Sequence, residues 1–105
     1  MRTLDFIISG QTLTRDPGCD FSGIVAGSRG YLCARFRFSA VWAGCKKVAV
    51  FTYKGKEYPV ALKNNVCEIP AEVLEGNTVQ LYVVGQSGKL RIYTTPVAFP
   101  QTVHQ

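Results

Sequence analysis

The feature that most constrains this chain is the alternation of apolar residues in short runs, each closed by a turn signal. From Tyr31 to Ser39, Leu32, Ala34, Phe36 and Phe38 fall on one side, with Tyr31, Cys33, Arg35 and Arg37 on the other. A period of two sends successive side chains to opposite faces, so this run reads as a half-buried strand with two arginines outside. Leu4, Phe6 and Ile8 repeat the pattern. Val48 to Tyr53 is more uniformly apolar and is entered through Trp42-Ala43-Gly44-Cys45. In Glu57 to Leu62, Tyr58, Val60 and Leu62 share a face, and Pro59 marks an edge or a bulge. Thr78 to Val84 and Leu90 to Thr95 form a hairpin around Gln86-Ser87-Gly88-Lys89, and Val97 to Phe99 extends the pairing.

The punctuation agrees with the periodicity. Ser9-Gly10 turns into a short strand near Gln11 to Thr14, and Asp16-Pro17-Gly18 and Ser28-Arg29-Gly30 are breaks. Lys54-Gly55 is a hairpin turn, and Asn64-Asn65 tolerates the left-handed backbone needed for another before Val66 to Ile69. Pro70 to Leu74 is the one expected helical turn, with Pro at the first position and Gly76 or Asn77 closing it. About eight short strands at this spacing predict an all-β antiparallel sandwich.

At 105 residues the chain has room for one domain, placed at residues 1–99, with a polar tail over 100–105. Hydrophobic residues make up 47% and charged residues 18%, which excludes disorder by composition. No apolar run reaches the roughly 20 residues that cross a bilayer. The apolar stretch after Met1 is too short for a signal peptide and is interrupted by Asp5, so the expected compartment is the cytoplasm.

The inventory for catalysis is thin. A nucleophile–histidine system needs a histidine in the body of the fold, whereas the single histidine is His104, in the tail. The carboxylates Asp16, Asp20, Glu57, Glu68, Glu72 and Glu75 fall in turns or on outer faces, and Gly23, Gly27 and Gly30 open no helix. Cys19, Cys33, Cys45 and Cys67 contain no Cys-x-x-Cys pair, which argues against zinc and for free, mostly buried thiols. The expectation is a protein with no cofactor, no metal and no enzymatic activity.

The net charge of +5 comes from dispersed Lys and Arg with no block of like charge, so a nucleic-acid partner is disfavoured. Two outer faces carry the mixture of aromatic and basic residues that contact surfaces favour. One comprises Tyr31, Arg35 and Arg37, the other Tyr82, Arg91 and Tyr93, and Lys46 and Lys47 add charge. Trp42 reads as a core or capping aromatic.

Residues 31–99 contain, in order, Phe36-Arg37-Phe38-Ser39, Trp42-Ala43-Gly44, Ala49-Val50-Phe51, Gly55-Lys56-Glu57-Tyr58-Pro59-Val60, Cys67-Glu68-Ile69-Pro70-Ala71-Glu72-Val73-Leu74, Val83-Val84-Gly85 and Tyr93-Thr94-Thr95. With these motifs the stretch resembles a domain of baseplate and tail-fibre proteins in phages and prophages of Gram-positive bacteria. The resemblance implies an immunoglobulin-like sandwich that attaches a longer chain to the particle. It also implies self-association and contacts with other virion proteins, and residence in the host cytoplasm before the virion. This chain ends at Gln105, where that pattern would continue into a shaft or receptor-binding region. The alternative expectation is a phage-encoded inhibitor of a bacterial defence system, gripping an acidic or phosphate-bearing partner through Arg35, Arg37, Lys46 and Lys47.

Overall fold

The computed structural model describes residues 1–103, so His104 lies outside the described residues. Among the described residues nine strands run β1 (Arg2–Ser9), β2 (Thr12–Arg15), β3 (Leu32–Phe38), β4 (Lys46–Tyr53), β5 (Lys56–Ala61), β6 (Val66–Glu68), β7 (Thr78–Ser87), β8 (Leu90–Tyr93) and β9 (Val97–Pro100). Short 3-10 turns occupy Ala40–Trp42 and Ala71–Val73; the second falls inside the helical turn expected at 70–74.

The strands form two sheets. One has the order β2-β1-β3-β6, the other β5-β4-β7-β8, with β9 also paired to β7. The chain is thus the all-β sandwich that the alternation predicts. Leu4, Phe6, Ile8 and Phe36 from the first sheet meet Phe51, Leu81, Val83 and Phe99 from the second in one buried cluster. Phe6 stacks on Phe36 at 5.2 Å between ring centroids and reaches Phe99 at 6.2 Å.

Tight turns follow from the residues that tolerate positive φ. Lys54 and Gly55 (φ 51° and 77°) join β4 to β5, and Asn64 and Asn65 (φ 55° and 64°) precede β6. Two successive left-handed residues match the twist of the flanking strands. Pro59 lies on β5, an edge strand, where a missing N–H does least harm.

One pairing departs from the antiparallel expectation. β1 and β3 run parallel, from Arg2 opposite Leu32 to Ile8 opposite Phe38. Parallel neighbours need a long crossover, and the segment from Asp16 to Tyr31 supplies it. That crossover is pinned: the Arg2 guanidinium donates to the carbonyls of Asp20 and Ser22 at 2.9 and 2.6 Å, and Phe21 packs edge-on to Phe6.

The boundary expected at residue 99 is crossed by further pairing. Pro100 closes β9, Gln101 is buried, and the Thr102 N–H donates to the Ile24 carbonyl at 2.7 Å. Phe21 and Ile24 in the crossover give this end of the chain something to pack against, so the polar composition of 100–103 does not make it a free tail.

Candidate functional site

The register of the five-stranded sheet arranges its outer side chains in transverse rows. Lys46 pairs with Gln86, and Gln86 with Arg91. Two residues further along, Ala61 pairs with Val48, Val48 with Val84 and Val84 with Tyr93. The next row is Pro59, Val50 and Tyr82, and beyond it lie Glu57, Thr52 and Gln80. Directly paired residues share a face, so this surface is an apolar band two rows deep. A row with two cations borders it at one end, and a row containing a carboxylate borders it at the other.

Apolar bands on outer sheet faces are unusual without a partner, because contiguous exposed apolar area marks contact surfaces. Tyr93 is 47% exposed, Pro59 and Ala61 are exposed, and Val48, Tyr82 and Val84 are half-buried, while Val50 lies buried between Pro59 and Tyr82. Tyr82 and Tyr93 stack with centroids 6.1 Å apart. The Tyr82 hydroxyl donates to Glu57 Oε2 at 2.7 Å. That hydrogen bond to a carboxylate, together with burial, pushes the phenol up to about 12. The tyrosine pair is therefore fixed in place, presenting aromatic area at little further entropic cost.

A groove of about 800 Å³ opens where the apolar band meets the cationic row, lined by Lys46, Val48, Val84, Gln86, Arg91 and Tyr93 among others. Neither Lys46 nor Arg91 forms an ion pair among the described residues. Gly44 and Gly88 at its margin leave it without side-chain walls there.

Tyr82, Arg91, Tyr93 and Lys46 are thus brought together. The other expected contact residues lie elsewhere. Lys47 follows Lys46 directly, so the pleat turns it to the opposite face, where its ammonium sits 4.8 Å from the Phe38 ring centroid. Arg35 and Arg37 belong to the four-stranded sheet and are engaged internally. Arg35 Nε contacts Asp5 Oδ1 at 2.6 Å and Arg37 reaches Asp16 at 3.5 Å. The hydrogen bond to Asp5 raises the Arg35 pKa further. Tyr31 precedes β3 and is exposed. Four cations expected to form one basic face are therefore divided among separate surfaces.

Alternation alone concealed Val48, Val50, Pro59, Ala61 and Val84. Their signal is the absence of polar residues at the outward positions of Val48 to Phe51: a strand apolar on both faces has something to cover both.

The four cysteines are free, with Cys33 and Cys67 buried and Cys19 and Cys45 partly so. Cys33 departs from its expected place on an exposed outer face, because Met1 lies against its thiol. Burial pushes the Cys67 thiol up to about 12, with the neighbouring Cys33 adding to the shift. Asp20 is held below the ordinary carboxylate range, first by the Ser22 hydroxyl and then by the Ser22 N–H. Among the described residues no group of three or more His, Cys, Asp or Glu side chains is placed to hold a metal, and no helix is long and apolar enough to cross a membrane.

Fold and surface together define a β-sandwich with one apolar, cation-bordered sheet face. Comparison with protein-family models, curated proteins and solved structures finds no match to this chain.

Proposed function

We propose that this chain is a non-enzymatic β-sandwich module that works by protein–protein contact through the outer face of its five-stranded sheet. The observation that carries the reading is the apolar band formed by Ala61, Val48, Val84 and Tyr93 over Pro59, Val50 and Tyr82. The reading of a role without turnover is supported by four of the seven acidic side chains being held within the fold: Asp5 and Asp16 face arginines, Asp20 closes a turn on Ser22, and Glu57 accepts from Tyr82.

The resemblance over residues 31–99 supplies the setting, an attachment module of a phage or prophage baseplate, tail or fibre. There it would meet other virion proteins or further copies of itself, first in the host cytoplasm and then in the particle. Mass spectrometry of purified particles from the phage or prophage carrying this gene tests that setting. Stoichiometric presence is expected, and absence from clean particles despite abundant protein in infected cells would overturn it. The face has its own test: Val84→Asp, at a half-buried outer position, is expected to fold and to be lost from the particles.

A further inference from the structure

We infer that the groove between Lys46 and Arg91 takes an extended segment of another protein that carries a carboxylate side chain followed by apolar ones. This rests on the reading of the five-stranded face as a contact surface and names the chemistry of what it contacts.

Charge complementarity selects the occupant. The groove lining contains two cations and no acidic residue, and neither cation has an ionic partner among the described residues. Gln86 stands between Lys46 and Arg91 in the same row and offers both a donor and an acceptor. Adjacent strands lie about 4.8 Å apart, so the two cations flank a space about 10 Å wide, suited to a carboxylate approached from both sides.

Spacing selects the conformation. The cationic row, the Val48–Val84–Tyr93 row and the Val50–Tyr82 row follow one another at two-residue intervals. Same-face side chains in any extended segment recur at the same interval, about 7 Å. A segment lying along the strands with an acidic residue at one position, and apolar residues two and four positions on, would address the two cations, then Val48, Val84 and Tyr93, then the ring of Tyr82 in register, Val50 in that last row being buried. Glu57 at the far end disfavours a second acidic residue there.

A second copy of this chain fits less well. The protein carries a net charge of +5, and the acidic residue on this face, Glu57, is already engaged by Tyr82.

The test is selection of a random linear peptide library, displayed on yeast, against the intact chain, followed by titration of a selected peptide. The expected result is enrichment of Asp or Glu spaced two and four residues from aliphatic or aromatic positions. Affinity should fall about tenfold or more in Lys46→Glu/Arg91→Glu, and also, to a smaller extent, in the milder Lys46→Gln/Arg91→Gln. It should fall again between low and moderate salt.

Peptides lacking acidic residues, whose binding is lost in Val84→Asp but not in the charge variants, would overturn the carboxylate assignment and leave the contact face standing. Failure to select any peptide sensitive to Val84→Asp would sink both. A dimer by sedimentation that Val84→Asp dissolves would make a second copy the occupant and overturn the inference.

Discussion

The indole of Trp42 lies so close to Gly85 that a β-carbon on residue 85 would sit 2.6 Å from Cζ3 and 2.8 Å from Cε3 of the ring. Trp42 is fully buried, and its Nε1–H donates to the Gly10 carbonyl at 2.7 Å. It therefore ties the β1–β2 turn in one sheet to the C-terminal part of β7 in the other. Gly85 has no left-handed backbone, so its requirement for glycine is purely one of space. Gly85→Ala is expected to destabilise the fold by about 1–3 kcal/mol through overpacking. Trp42→Ala should cost roughly 3–5 kcal/mol. Urea denaturation measures both, and a Gly85→Ala effect near zero would mean that the indole can move away.

Gln101 is buried, and neither of its carboxamide atoms has a hydrogen-bond partner among the described residues. A buried polar group without a partner carries a desolvation penalty of about 1–3 kcal/mol, and an apolar residue of similar volume avoids it. Gln101→Met is expected to raise the thermal midpoint, with calorimetry as the measurement. A lowered midpoint would show that the carboxamide is satisfied in solution.

Tyr82 gives the outer face a pH dependence. Its phenol is pushed up to about 12 from an ordinary value of 10.0, so the unfolded chain loses this proton first. The stabilisation is fully present below pH 10 and is lost as pH rises from there through the folded value. Phenolate absorbance should show a late step from Tyr82. In Glu57→Gln that late step should move back toward the ordinary range, since the carboxylate is the first cause of the shift.

The thiols should separate by accessibility. Cys19 and Cys45 are partly exposed, whereas Cys33 and Cys67 are buried and burial keeps the Cys67 thiol protonated. An alkylating reagent at neutral pH is expected to modify Cys19 and Cys45 in the native protein and all four only after unfolding. Intact-mass measurement over time counts them, and early modification of Cys67 would contradict its burial.

The strands of this fold were legible because burial writes itself into alternation. Leu32, Ala34 and Phe36 are buried, Arg35 and Arg37 exposed, as a period of two demands. Turns were legible where chemistry restricts the backbone, as at Asn64-Asn65. Partnership was not. Periodicity says which residues of β3 point inward but not that β1 lies beside it in parallel, since that depends on the path of the Asp16–Tyr31 crossover. The contact face was half visible for a related reason. Tyr82, Arg91 and Tyr93 stand out by residue type, whereas Val48 and Val84 look like core until the pleat assigns them to the outside. Lys46 and Lys47 are neighbours in sequence and on opposite faces in space.

β7 is shared along both its edges. β4 occupies one, while β8 and β9 divide the other, and the Thr94 hydroxyl accepts from the Val83 N–H at 2.9 Å where the two strands hand over. Because this strand begins only at Thr78, the second sheet cannot assemble on the ribosome until most of the chain has been synthesised. Until then the β4–β5 hairpin holds Ala49 and Phe51 without the β7 residues they pack with in the core, and the nascent chain exposes apolar surface that favours aggregation. Synthesis that stalls before residue 78 would yield a fragment with the first sheet's strands and no spine for the second, a product destined for proteolysis.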